Sequence, residues 1–150
     1  YFKSFKQEHG LDYTIFRFFN TYGPKQSEDF VIAKFINAAK AGKDITVYGD
    51  GKQTRTFCYI NNNVDVTINC LNNNLGINDT INLGNEVEYM ILELAQEVIS
   101  ATNSKSKIVH LPALPEGDMT RRQPEISRMK ELMREDFISL KEGLYSIANH

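Results

Sequence analysis

The sequence predicts an α/β domain, and three observations carry that prediction. Residues 29–41 and 90–101 repeat apolar side chains at helical spacing. Short β-branched runs at 45–48, 80–83 and 107–111 stand between and after them. Glycine, proline and asparagine punctuate the boundaries and leave long loops at 20–28, 49–54 and 112–124. Loops of that length on a small scaffold are where binding concentrates.

Taken in order, Phe2 and Phe5 stand three apart and Gly10 is placed as a helix stop, so residues 1–9 read as the last turns of a helix whose start lies upstream. Residues 12–19 read as a strand with apolar side chains on both faces, the pattern of a parallel strand with neighbours on each side. Gly23-Pro24 forbids its continuation. Asp29 is placed to cap a helix that Gly42 closes, with Val31, Ile32, Phe35, Ile36 and Ala39 on one face. A strand at 45–48, a turn at 49–52 and a second short strand at 55–60 follow. A helix over 63–71 and a strand over 80–83 come next, then a helix whose Ile91, Leu94, Ala95, Val98 and Ile99 share one side. A strand at 107–111 and two short helices, 125–133 and 140–149, complete the chain. The asparagine triplets at 61–63 and 72–74 read mainly as composition bias with cap and loop chemistry.

With 150 residues, 41% of them hydrophobic, the chain can bury one real core. A net charge of -2 gives no electrostatic case for nucleic acid or an acidic membrane surface. No run approaches the roughly 18 apolar residues of a spanning helix, and no signal-peptide pattern is visible. Cys58 and Cys70 form no Cys-x-x-Cys motif and have no histidine at ligand spacing, which reads as two reduced, buried thiols in a cytoplasmic protein. His9, His110 and His150 lack partners at catalytic or metal spacing, so no metal is expected.

Five places carry candidate chemistry. Asn20 ends the first strand; its neutral amide suits an anionic diphosphate oxygen, and it equally suits a tight turn before Gly23-Pro24. The segment from Ile45 to Tyr48 offers backbone groups to a base edge and a terminal ring to stack on it, or is a plain edge strand. Arg55, among apolar strand residues, is either a solvated edge charge or a planar anion fork. Arg121-Arg122 is by default a surface basic pair. The helix start at Asp29-Phe30-Val31 presents free N–H groups to an anion, although the Asp29 charge argues against a side-chain contact there.

Arg17-Phe18-Phe19-Asn20-Thr21-Tyr22-Gly23-Pro24 resembles the Arg-x-Phe-Asn-x-Tyr-Gly-Pro segment of the extended short-chain dehydrogenase/reductase family, the NAD-dependent nucleotide-sugar epimerases and dehydratases. Ile45-Thr46-Val47-Tyr48-Gly49-Asp50-Gly51 is similar to that family's Ile-Tyr-Gly-Asp-Gly base-binding strand. The run from Gln53 to Ile60 is similar to its Thr-Arg-x-Phe-x-Tyr-Val-x-Asp segment, with Asn62 in the place of the Asp, and Arg122-Gln123-Pro124-Glu125 resembles its late Arg-x-Pro-Asp. The resemblance spans the chain but corresponds to the carboxyl-terminal half of such enzymes.

It implies a Rossmann-type α/β fold, in which residues 1–24 are the tail end of the dinucleotide-binding domain, with one late strand of the parallel sheet, and 25–150 form the nucleotide-sugar substrate-binding domain. It further implies that Phe18 or Phe19 lies near the nicotinamide of NAD. Asn20, Arg55, Arg122 (or Arg121) and the Phe30 and Val31 backbone would hold the diphosphate. The Thr46 and Tyr48 backbones would read a pyrimidine covered by the Tyr48 ring.

The 150 residues read as lacking both a Gly-x-x-Gly-x-x-Gly loop and a Tyr-x-x-x-Lys acid/base pair, so no catalytic residue is assigned. The expectation is the UDP-sugar-binding half of an NAD-dependent 4-epimerase acting through a keto-sugar, with NAD held mainly by the other half. UDP-glucuronate decarboxylase and dTDP-sugar 4,6-dehydratase are the alternatives within the enzyme class; a non-catalytic nucleotide-sugar binding module is the alternative outside it. Such an enzyme is expected to be a homodimer. The half alone is expected to be inactive and to self-associate through exposed apolar surface.

Overall fold

The computed structural model describes residues 1–113 and 121–149, with the backbone alone at Arg121 and Arg122. Six helices and nine short strands alternate among them. They are α1 (Phe2–His9), β1 (Thr14–Phe18), β2 (Thr21–Tyr22), α2 (Val31–Lys40), β3 (Ile45–Tyr48), β4 (Thr54–Thr56), β5 (Cys58–Tyr59) and α3 (Ile60–Asn73). β6 (Asp79–Leu83), β7 (Glu88–Met90), α4 (Ile91–Thr102), β8 (Ile108–Leu111), β9 (Arg121–Arg122), α5 (Ser127–Leu132) and α6 (Leu140–Ala148) follow. Part of the expected 112–124 loop, and His150, lie outside the described residues. No helix of the described residues is long and apolar enough to cross a membrane.

Pairing is mostly parallel and non-local. β1 pairs with β6, β2 with β5, β3 with β8, and β4 lies between antiparallel β7 and parallel β9. The chain is therefore a mixed α/β fold built on parallel strands, as expected. The expected 55–60 strand is two strands, because Thr54–Thr56 and Cys58–Tyr59 pair into different sheets. β2 and β9 are additions within expected loops, and β7 precedes α4, taking Met90 from the expected 90–101 helix; two or three residues with distant partners leave no periodicity to read.

Two apolar cores result. The larger gathers Ile32, Phe35, Ile36 and Ala39 of α2, Ile45 and Val47 of β3, Leu94, Ala95 and Val98 of α4, and Leu140 and Leu144 of α6. The smaller joins Val66 and Cys70 of α3, Ile81 and Leu83 of β6, and Met129 and Leu132 of α5. β5 serves both: successive strand side chains point oppositely, so Cys58 enters the smaller core and Tyr59 the larger. Tyr22 meets Tyr59 edge-on at 5.3 Å between ring centroids.

Asp29 does not cap α2. Phe30 holds the N-cap position without a side-chain bond, and the Asp29 carboxylate instead accepts from Ser27 Oγ at 2.8 Å. Asn74 takes the left-handed C-cap position of α3, as cap chemistry expects, whereas Asn62, Asn63 and Asn69 bind other elements. Asn62 donates to the Asp136 carbonyl at 3.1 Å and accepts from the Ile138 N–H at 3.1 Å, while Asn69 donates to the Leu132 carbonyl at 2.8 Å. Each buried amide meets backbone that leaves or follows α5, where an unmet polar group would cost about 1–3 kcal/mol. Asn63 donates to Thr21 Oγ1 at 2.7 Å and accepts from Cys58 Sγ at 3.1 Å, tying β2 to β5.

At the amino end, α1 buries no residue, and Phe2, Phe5, Leu11 and Phe18 are exposed. β1 has β6 on one edge and, among the described residues, no strand on the other.

Both cysteines are free and buried. Burial pushes the Cys58 thiol up to about 12. Its raised value favours the neutral form in the fold, so its contribution is complete below the unfolded thiol's value near 8.5 and is lost as pH rises toward 12. Urea midpoints should therefore fall through that alkaline window, and Cys58 should react with a thiol reagent at pH 8 only after denaturation. Gly143 packs so closely that a Cβ would lie 2.8 Å from Tyr22 Cζ and 2.9 Å from Tyr59 Cδ2. Neither ring can swing out of the core, so Gly143→Ala should lose about 1–2 kcal/mol in chemical denaturation despite its better helix propensity.

Candidate functional site

Asn20 follows β1 in a left-handed backbone conformation, φ 42°, which asparagine tolerates better than most side chains. This turn redirects the chain from the β1–β6 pair into β2. Two hydrogen bonds fix it: Phe19 N–H donates to the Leu83 carbonyl at 2.8 Å, and Cys58 N–H donates to the Asn20 carbonyl at 3.2 Å. The Asn20 side-chain Nδ2 is buried and has no hydrogen-bond partner. Its neighbours separate. Phe18 is exposed, whereas Phe19 is half-buried, packed where Gly84 closes β6.

β3 buries Ile45 and Val47 and turns Thr46 and Tyr48 outward, as strand alternation requires. The Ile45 and Gly49 N–H groups donate to Lys107 and Leu111 of the β8 segment at 2.8 and 2.9 Å. Alternation then directs the Thr46 and Tyr48 backbone groups to the opposite edge. Among the described residues no strand pairs with that edge. The Tyr48 carbonyl there accepts from Gln53 Nε2 at 3.3 Å. His110, without a partner at catalytic or metal spacing in the sequence, bonds through Nδ1 to the Gly49 carbonyl at 2.8 Å and so steadies the following turn.

Arg55 is the central residue of β4. Its Nη1 donates to the Thr54 carbonyl at 2.8 Å, and its register partners are Tyr89 of β7 and Arg122 of β9. Arg122 is thus brought beside Arg55 at the level of the backbone, although the two are far apart in sequence; its side chain lies outside the described residues.

Asn20, Val31, Thr46, Tyr48 and Arg55 line one cleft of about 400 Å³. That volume lies in the range of small-molecule sites. Phe30 stands outside this lining; it is exposed, and its N–H already donates to the Ser27 carbonyl at 3.2 Å. Val31 opens α2, where an N–H has no carbonyl within the helix to meet. The cleft also takes in Lys34, Gln53 and Asp29. Gln53 and Lys34 were legible only as polar residues near the motifs. Periodicity does put Lys34 off the apolar face of its helix, and that was the available signal.

Contrary to the expectation that the chain has no such pair, Tyr48 and Lys52 do stand at Tyr-x-x-x-Lys spacing; they span a strand and its turn rather than one helix face. Lys52 pairs with Asp50 at 3.3 Å, and its backbone and side-chain contacts lower the Asp50 carboxyl from its usual range. Tyr89, beside Arg55, has its phenol raised, first by burial and then by Glu97 and Glu93. No group of His, Cys, Asp and Glu among the described residues is arranged to hold a metal.

Residues 1–84 match the model of the NAD dependent epimerase/dehydratase family. The UDP-N-acetyl-alpha-D-glucosaminuronate decarboxylase of Bacillus cytotoxicus is 40% identical over 144 residues, covering 90% of this chain and 44% of its own length. UDP-glucuronic acid decarboxylase 3 of Arabidopsis thaliana is 38% identical over 145 residues, covering 93% of this chain and 41% of its own. Among solved structures, the UDP-glucose 4-epimerase of Thermotoga maritima, crystallised with UDP-glucose, superposes with a TM-score of 0.86 at 25% identity, over 98% of this chain and 48% of its own. The chain spans less than half the length of each of the three.

Proposed function

The chain belongs to the NAD dependent epimerase/dehydratase family, and from that premise we propose that it is the nucleotide-sugar-binding part of an NAD-dependent enzyme acting on a UDP-sugar. The observation that carries this reading is the convergence of Asn20, Arg55 and the open edge of β3 on one cleft. An unpartnered buried amide donor and a guanidinium fork fit a diphosphate, because charge-assisted hydrogen bonds of this kind are among the strongest a protein makes. Arg122, register partner of Arg55, is assigned to the same diphosphate. Val31 N–H adds a donor at the start of α2; Phe30 contributes its position in the helix start, its own N–H being engaged. The Thr46 and Tyr48 backbones, facing outward on an unpaired edge, suit the donor-and-acceptor edge of a uracil, and the Tyr48 ring suits its face.

Residues 1–24 are assigned to the dinucleotide-binding domain and 25–150 to the substrate domain. Bound NAD supplies a hydride acceptor and returns the hydride. Phe18, at the carboxyl end of β1, and Phe19, which follows it, are assigned to the nicotinamide as apolar packing residues. The exposed Phe2, Phe5, Leu11 and Phe18 support self-association of these 150 residues taken alone.

Decarboxylation of a UDP-hexuronate is the first reading of the reaction, since relatives at 40% and 38% identity are named decarboxylases. Oxidation of a sugar hydroxyl placed β to a carboxylate makes loss of carbon dioxide favourable, so the same binding frame serves. Epimerisation at carbon 4 is the second reading, favoured by the superposition on a 4-epimerase.

Calorimetric titration of the 150-residue chain with UDP tests the binding claim. Arg55→Met and Asn20→Leu are each expected to weaken binding about tenfold or more, the loss of one charge-assisted contact. Unchanged affinity in both variants would sink it. The same chain with NAD and UDP-glucuronate or UDP-glucose is expected to form no product, and turnover by it would overturn the division of labour.

A further inference from the structure

We infer that Lys34 is a further diphosphate-binding residue of the cleft, held on the Tyr48 ring until a nucleotide enters; the inference rests on the nucleotide-sugar reading above. Lys34 lies on α2 between Ile32 and the buried pair Phe35 and Ile36, which fix the helix's apolar face against the larger core. The lysine is thereby held at the cleft, whose lining it shares with Asn20, Arg55 and Tyr48.

Its local surroundings give this cation no structural purpose. α2 has no acidic residue in its first turn, and a positive charge near a helix amino end is opposed by the macrodipole. Lys40, in the last turn, shows the favourable placement. Among the described residues no carboxylate pairs with Lys34. Asp29, the acid that shares the cleft lining, is engaged by the Ser27 hydroxyl. The contact Lys34 does make is with the Tyr48 ring, its Nζ 5.8 Å from the centroid. That distance is at the outer edge of a useful cation–aromatic interaction, so the ammonium gives it up readily to an anion.

The Asn20 amide nitrogen is an independent sign that the cleft expects an acceptor, being buried there without one. Lys34 and Asn20 therefore bring unmet donor capacity to the cleft where Tyr48 waits for a base. A nucleoside diphosphate satisfies both needs together: its phosphates draw the ammonium off the ring, and its base takes a stacking place at the ring. Binding of charge and binding of base become coupled through one aromatic side chain. A nucleoside without phosphates leaves Lys34 where it is.

The test compares UDP with uridine by calorimetry on the unaltered chain, Lys34→Met and Lys34→Arg, at low and moderate salt. Lys34→Met is expected to weaken UDP about tenfold, to leave uridine binding no weaker, since the Tyr48 ring is then free, and to flatten the salt dependence of UDP binding. Lys34→Arg should recover most of the UDP affinity. Thermal midpoints should stay level, since the side chain is exposed. Equal losses for UDP and uridine, or no loss for UDP, would overturn the assignment while leaving the nucleotide reading intact. Failure of the unaltered chain to bind either ligand overturns that reading and this assignment with it.

Discussion

The short parallel contact between Thr21-Tyr22 and Cys58-Tyr59 is the constraint on which the rest of the molecule depends. Two residue pairs are a small amount of sheet. Yet this contact decides where both cores meet, because the Cys58 and Tyr59 side chains alternate between them. Asn63 reinforces it from α3 by reaching the Thr21 hydroxyl and the Cys58 thiol at once. Asn20 immediately precedes one strand and Phe57 the other, so the same contact brings the first motif of the chain against the segment that carries Arg55. Without it, the amide and the guanidinium would belong to separate surfaces.

The cleft is built by edges rather than by any one element. β3 contributes an unpaired side, α2 its amino end, β4 its central arginine and the β1–β2 turn its asparagine. Each is a position where backbone or side-chain donors are left over once local structure has taken what it needs. A polyanionic ligand complements that surplus better than a neutral one. This chain, less than half the length of the relatives it matches, carries the whole of that cleft lining among its described residues.

Much of this was legible beforehand. α2 and α4 announced themselves through apolar spacing, and β3 through the inward alternation of Ile45 and Val47. Asn20, Thr46, Tyr48 and Arg55, which share one cleft, stood out as candidates because each sits in a motif whose order along the chain matches a family. The short strands were not, since Thr21-Tyr22 and Glu88–Met90 acquire strand character only from partners far away in sequence. Asp29 misled because its carboxylate had a nearer partner in Ser27. The α3 asparagines misled differently. Residues 62, 66 and 69 form a helical stripe, and polar members in such a stripe signal buried amides awaiting backbone partners. Lys34 escaped because a lysine off the apolar face of a helix normally needs no explanation.

The solitary amide at Asn20 has a consequence for the resting protein. A buried N–H without an acceptor costs roughly 1–3 kcal/mol, and the left-handed backbone beneath it adds to the burden. A ligand that offers an acceptor there and binds only the folded chain shifts the folding equilibrium by mass action, so occupancy of the cleft and conformational stability rise together.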